Sequence, residues 1–446
     1  MIASPGVRRA AFLLLVAAGL YFLYFFGLTR MGLILPDETR YAAVGQAMAA
    51  TGDWITPRLW GEPWFEKPAL LYWMTATGFK LGLGPELAPR LPVALASVAF
   101  LIYFFAAIRR EFGDRAGWYA ATILATSAAW LAFSHNATTD LPMSAAFGAA
   151  MLTIFGANAG TRSFVAAGAL LGLAVLSKGL VPLVLFIPAL WFLRRRIGDA
   201  AILFAAAAVV AAPWYALVAM RNHTFVNEFI WKQHFGRFLK SELLHGQPVW
   251  FFVPVLLAGL FPWTPVLGAV ARPRLFRDRR AQFLLAWFAW GFLFFSVSRN
   301  KLPGYLLPLL PALAALMGVG LANARARLLL AISGGLLCLA PAAVQMLPQA
   351  LESGVSRAPF HLDWPWLAAG VAIAGVCAMA NRDWAVGIIG LLVTVSVFAL
   401  VWIDYPQMDR LLSGKSAGSI TCLPQTNRSR RSSMDYYAGR NLPDCK

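Results

Sequence analysis

The sequence predicts an all-α polytopic membrane protein with about thirteen transmembrane helices. Three observations carry this. Of 446 residues, 59% are hydrophobic and 13% charged, whereas a water-soluble domain is nearer half apolar and a quarter charged. The mean hydropathy is +0.64, so the apolar excess must face lipid. The apolar residues also fall in runs of roughly 20, the length that crosses the hydrocarbon layer as a helix. An ordinary soluble enzyme, a disordered chain and a fibre are excluded.

The first run, 10–28, follows Arg8 and Arg9. The bulky Tyr21, Phe22, Tyr24, Phe25 and Phe26 at its end do not make a small-residue cleavage site. It reads as a retained first helix with a cytoplasmic N-terminus, not as a removable leader. Further runs lie near 89–108, 117–133, 140–157, 163–177, 179–193, 199–220, 248–270, 281–298, 302–322, 328–347, 365–381 and 384–403. With the N-terminus inside, seventeen arginines, from Arg8 to Arg382, fall in the cytoplasmic connections, as the positive-inside rule requires. The net charge of +18 is thus mostly topological and does not mark a nucleic-acid surface.

This order gives a membrane domain at 1–403 and a short outer tail at 404–446. Cys422 and Cys445 lie in that tail, on the oxidising side, and could pair. Cys338 and Cys377 lie in apolar segments and read as small buried hydrophobes.

The outer side carries the chemistry. Its first loop, 29–88, contains PDETRYAAVGQAMAATGDWITPRLWGEPWFEKPALLYWM. Residues 42–50 favour a helix that Asp37 or Thr39 could cap. Pro57, Pro63 and Pro68 break the remainder into short pieces, and Trp54, Trp60, Trp64, Phe65, Tyr72 and Trp73 suit the membrane interface. A juxtamembrane helical platform over a cavity is expected. The second outer loop, 221–247, mixes Arg237, His234 and other cations with aromatics. SKGLVP at 177–182, the turn SRNKLPGYLLP at 298–308 and the connection His135–Asp140 also fall outside. Topology therefore gathers Asp37, Glu38, Arg40, Glu66, Lys67, Asp140, Lys178, Arg237, Arg299 and Lys301 on one face.

Singly, most of these have ordinary readings. Asp37–Glu38 could be a helix cap with a solvated neighbour, Glu66–Lys67 a surface ion pair of little energy, Asp140 a cap, and Lys178 and Lys301 snorkelling residues. Together they suit one task. Cations at a lipid edge bind phosphate. Carboxylates beside them could ligate a divalent cation or take a proton from an acceptor. Outside the cytoplasm there are no nucleotide sugars, so an activated donor must ride on a lipid.

The first loop closely resembles that of bacterial aminoarabinose transferases that modify lipid A, within the wider dolichyl-phosphate-mannose protein mannosyltransferase-like group. The shared pattern is D-E-x-R-Y, then G-D-W-I-x-P, then F-E-K-P-x-x-x-Y-W; SKGLVPL, HFGRF and NKLPGYLLPLLP follow in family order. The likeness spans about 10–322. It implies a GT-C fold and inverting sugar transfer from undecaprenyl phosphate at the outer leaflet of the bacterial inner membrane, the site facing the periplasm. Lipid A or lipopolysaccharide is the implied acceptor, and an aminoarabinose-type sugar the implied cargo.

By that resemblance Asp37 is the carboxylate at the reaction centre, with Glu66 and Asp140 as acidic positions that could hold a divalent metal. Lys67, Arg237 and Tyr305 hold the carrier phosphate, Lys178 and Lys301 lie by the cavity, and Arg40 and Tyr41 brace the loop. The family usually carries a larger C-terminal soluble region; here about 43 residues follow the last run. A protein or another glycan as acceptor is the alternative, and a lipid-linked-substrate transporter a more distant one. A transporter should show mid-span charges and paired broken helices; the ionisable residues here sit at span ends. A monomer is the default expectation.

Overall fold

Apolar runs with basic ends become helices because the backbone must satisfy its own hydrogen bonds inside lipid. The computed structural model describes residues 5–156, 160–229, 231, 246–323, 326–354, 357–415, 421–423 and 426–445. The first eight helices are α1 (Pro5–Tyr24), α2 (Pro36–Thr51), α3 (Leu70–Lys80), α4 (Leu87–Phe112), α5 (Asp114–Ala125), α6 (Ala128–Ser134), α7 (Asp140–Thr153) and α8 (Thr161–Lys178). A two-residue antiparallel ladder, Arg58–Leu59 with Glu62–Pro63, interrupts the first loop. Trp60 and Gly61 turn it with positive φ of 53° and 90°, the twist a tight hairpin requires.

Among the described residues, seven helices are long and apolar enough to cross a membrane, or eight if the bent pair α5–α6 counts as one. This establishes a multi-pass protein but does not reach the expected thirteen. Several expected spans are short or broken. The 179–193 run splits into Val181–Leu185 and Ile187–Leu193, and the 248–270 run keeps only Phe252–Gly259 as regular α-helix. Pro182, Pro188, Pro262 and Pro265 lie in these runs, and each removes a helix donor. The 140–157 run is a buried α7 of 14 residues.

Close packing sets the bundle. A Cβ at Gly172 would lie 2.8 Å from Ala207 O and from Val210 Cβ, so glycine lets α8 approach the helix Ile197–Arg221 closely, as small residues do between membrane helices. In the first loop α2 runs from Pro36 to Thr51, longer than 42–50. Leu35 is its cap residue and makes no side-chain bond, so neither Asp37 nor Thr39 caps it. Thr39 instead donates to the carbonyls of Leu35 and Pro36. Helices α2 and α3 pack against each other, and α4 follows at once.

Candidate active site

Helix α2 places Asp37, Arg40 and Tyr41 within its first two turns. After the hairpin, the chain returns Glu66 and Lys67 to the same end. The result is one continuous ion network. Arg40 pairs with Asp37 and lies 3.4 Å from Glu66 Oε2, while Lys67 Nζ donates to Glu66 Oε1 at 3.1 Å. The Asp37 side chain is 45% exposed and that of Glu66 only 8%. Glu66 is thus a buried counter-ion between two cations, not a surface partner. Burial opposes the Arg40 charge, but Glu66 and Asp37 outweigh it and hold its pKa above the ordinary value. The Arg40 guanidinium also lies 5.6 Å from the Trp64 ring centroid, a cation–π contact.

Tyr41 and Tyr72 are fully buried behind this network, their rings 5.9 Å apart and edge to face. Burial, followed by the nearby Glu66 charge, raises both phenols well above the usual value. They therefore stay protonated. Tyr41 packs α2 against Tyr72 of α3.

A second group forms where α7, α8 and the turn near residue 304 meet. Asp140, in the first turn of α7, pairs with Lys178 at the end of α8. The cap position of α7 is Thr139, so Asp140 is an ion-pair partner, not the cap. Lys178 Nζ lies 4.9 Å from the Tyr305 ring centroid. Gly304 brings the turn in: a Cβ there would sit 2.7 Å from Asp140 Oδ1 and 2.8 Å from Phe133. The structure therefore brings Asp140, Lys178 and Tyr305 together.

Lys301 is placed differently. It is 3% exposed, and its ammonium donates to the carbonyls of Gln247 (3.0 Å) and Ser298. Burial lowers its pKa. It clasps the exit of the second outer loop to the 298–308 turn. Arg237 and His234 lie outside the described residues.

Sequence reasoning missed the element that joins the two groups. Glu38 is not a solvated neighbour of Asp37; it is wholly buried. It takes 2.8 and 3.1 Å bonds from Arg90 and one of 3.1 Å from Ala137 N. Arg90 also donates to the carbonyls of Leu28, Met31 and Gly32. The available signal was Arg90 itself, a charge just inside an apolar run, which demands a partner.

The two carboxylates assigned to a divalent metal are each held in ion pairs. Glu66 is flanked by Arg40 and Lys67, and Asp140 by Lys178. Among the described residues no group of three His, Cys, Asp or Glu side chains could hold an ion.

The profile of the dolichyl-phosphate-mannose-protein mannosyltransferase family matches residues 66–227. A Pseudomonas aeruginosa protein named undecaprenyl phosphate-α-4-amino-4-deoxy-L-arabinose arabinosyl transferase is 33% identical over 70% of this chain and 59% of its own length. A Proteus mirabilis protein of that name, numbered 2, is 31% identical over 70% of this chain and 60% of its own. The chain thus spans about three fifths of the length of these relatives. The crystal structure of ArnT from Cupriavidus metallidurans bound to undecaprenyl phosphate superposes with a TM-score of 0.78 at 26% identity, over 97% of this chain and 85% of that one. An Archaeoglobus fulgidus oligosaccharyltransferase shares the fold at a TM-score of 0.55 and 14% identity, over 97% and 64%.

Proposed function

The chain is an aminoarabinose-transferase-like member of the GT-C superfamily, and from that premise we propose that it transfers a sugar from an undecaprenyl-phosphate carrier to lipid A or lipopolysaccharide. The sugar is of the aminoarabinose type, and the site faces the periplasm of the bacterial inner membrane. The observation that carries this reading is the Asp37–Arg40–Glu66–Lys67 network: a half-exposed carboxylate and a basic pair at one end of α2. The relatives' names and the carrier bound in the similar crystal structure support it.

In this reaction the bond from the anomeric carbon to the carrier phosphate breaks, and the acceptor oxygen bonds to that carbon from the opposite face. The leaving carrier phosphate gains negative charge. Lys67 and Lys178 stabilise it where it develops, with Arg237 and Tyr305 assigned to the same phosphate. Glu66 keeps Lys67 and Arg40 aimed. An ionised lipid A phosphate needs no base; Asp37 then positions the acceptor and steadies the positive charge on the sugar ring. A hydroxyl acceptor would give its proton to Asp37. Because each buried carboxylate already has a cation, no step runs through a divalent metal.

A protein or another glycan as acceptor is the second reading. The mannosyltransferase profile over 66–227 favours it. Purified protein supplied with an undecaprenyl-phosphate-linked sugar and either lipid A or a peptide separates the two. Sugar on lipid A supports the first reading; sugar on peptide alone replaces it with the second.

A further inference from the structure

The C-terminal tail packs against the chain that leads into α2. Between α1 and α2 a strap of chain runs through Gly32 and Leu33, four residues before Asp37. Arg90 holds its inner side through the Met31 and Gly32 carbonyls. The other side is held by the C-terminal segment. Leu33 N donates to Tyr437 Oη at 3.1 Å, and Ser433 Oγ donates to Leu33 O at 2.5 Å. Both backbone groups of Leu33 are therefore satisfied by tail side chains. Gly32 N donates to Asp409 Oδ1 at 2.7 Å.

The tail is itself anchored beside the strap. Tyr437 donates to Glu86 at 3.0 Å, Lys415 pairs with Glu86 at 3.0 Å, and Tyr436 donates to the Pro85 carbonyl at 2.8 Å. A Cβ on Gly32 would meet Tyr437 Oη at 2.8 Å, so strap and tail touch without room for a side chain. The helix Arg428–Ala438 that bears Ser433 and Tyr437 is short and polar and would be marginal alone. Cys422 and Cys445 pair and close its ends together, and Leu423, Met434 and Leu442 form a small core within the closed loop.

We propose that the C-terminal segment, closed by the Cys422–Cys445 disulfide, is a clamp that positions the Asp37 end of α2, with Tyr437 and Ser433 as its positioning residues. The catalytic part of this rests on the glycosyl-transfer reading above; the mechanical part does not. Three hydrogen bonds from the tail to the strap fix the direction in which α2 starts. Without them the strap keeps Arg90 but loses its outer wall, and Asp37 wanders relative to Lys67, whose position comes from the hairpin. A reacting group misplaced by about 1 Å costs roughly a hundredfold in rate, so partial loosening should cost roughly tenfold. Carrier binding, which the cations provide, should change little.

The test uses full-length protein in lipid nanodiscs and compares wild type, Tyr437→Phe and wild type treated with a thiol reductant. The reductant acts on the native fold, and Cys338 and Cys377 are already free thiols. Backbone hydrogen exchange is read over residues 31–41, and kcat and donor KM are read with an undecaprenyl-phosphate-linked sugar. The clamp predicts faster exchange in that stretch, with kcat down roughly tenfold and donor KM within about twofold. Unchanged exchange in both Tyr437→Phe and reduced protein overturns the clamp. Faster exchange with an unchanged kcat overturns its positioning role. If the wild type transfers no sugar at all, the glycosyl-transfer reading fails, and the exchange result alone decides the clamp.

Discussion

Glu38 and Arg90, 52 residues apart, form a fully buried pair that ties the two carboxylate-bearing elements of the site together. Glu38 follows Asp37 directly. Its Oε1 accepts from Arg90 Nε at 2.8 Å and from Ala137 N at 3.1 Å, and Ala137 is three residues before Asp140. One buried carboxylate thus fixes α2 against the turn that starts α7. Removing one partner of such a pair strands a charge and costs roughly 3–5 kcal/mol.

Arg90→Met should therefore lower thermal stability by about that amount and abolish transfer, although Arg90 touches no substrate in this account. Melting of the purified variant in detergent reads it. A midpoint equal to wild type would show that Glu38 finds another partner.

Gly304→Ala places a methyl 2.7 Å from Asp140 Oδ1 and 2.8 Å from Phe133. The turn or Asp140 must shift, which should loosen the Asp140–Lys178 pair. The expectation is a loss of roughly ten- to a hundredfold in kcat with the fold retained. Steady-state kinetics at saturating donor would check it, and wild-type kcat would remove Asp140 from the reacting geometry.

Lys67→Ala removes a cation assigned to the carrier phosphate while Glu66 keeps Arg40. A hydrogen bond to a charged group contributes about 1.5–3 kcal/mol, so donor KM should rise roughly ten- to a hundredfold. Acceptor KM should stay near its original value. A larger effect on acceptor than on donor would reverse the assignment.

Chelation tests the ion-pair account of Glu66 and Asp140. Prolonged EDTA treatment should leave the transfer rate within about twofold, because Arg40, Lys67 and Lys178 already neutralise these carboxylates. A rate that collapses with EDTA and returns with an added divalent cation would show that a metal displaces them.

Much of this was legible in the sequence because the signals are local. Apolar runs between arginines mark helices in lipid, and the Asp37-to-Lys67 stretch carries its own chemistry in one loop. Asp140, Lys178 and Tyr305 could be grouped because each lies at the end of an apolar run. Glu38 was misread because its partner is remote, and a dipeptide of two acids looks like a cap. The helix count fell short where Pro182, Pro188 and Pro262 divide runs that hydropathy alone joins. The Cys422–Cys445 pairing was legible in the tail, but its contacts with the strap were not, because they run through tyrosines and a serine rather than through an apolar stripe. Lys301 shows the converse: its place in the 298–308 turn was legible, but its bonds to two backbone carbonyls were not.

The central claim is that Asp37 stands at the centre of a sugar transfer onto an outer-leaflet lipid. Mass spectrometry of lipid A from cells expressing wild type or Asp37→Asn tests it most directly, since Asn keeps the shape and removes the charge. The account predicts an increment the size of an amino-deoxypentose with wild type and its loss with the variant. The same increment at near-wild-type level with Asp37→Asn would contradict it.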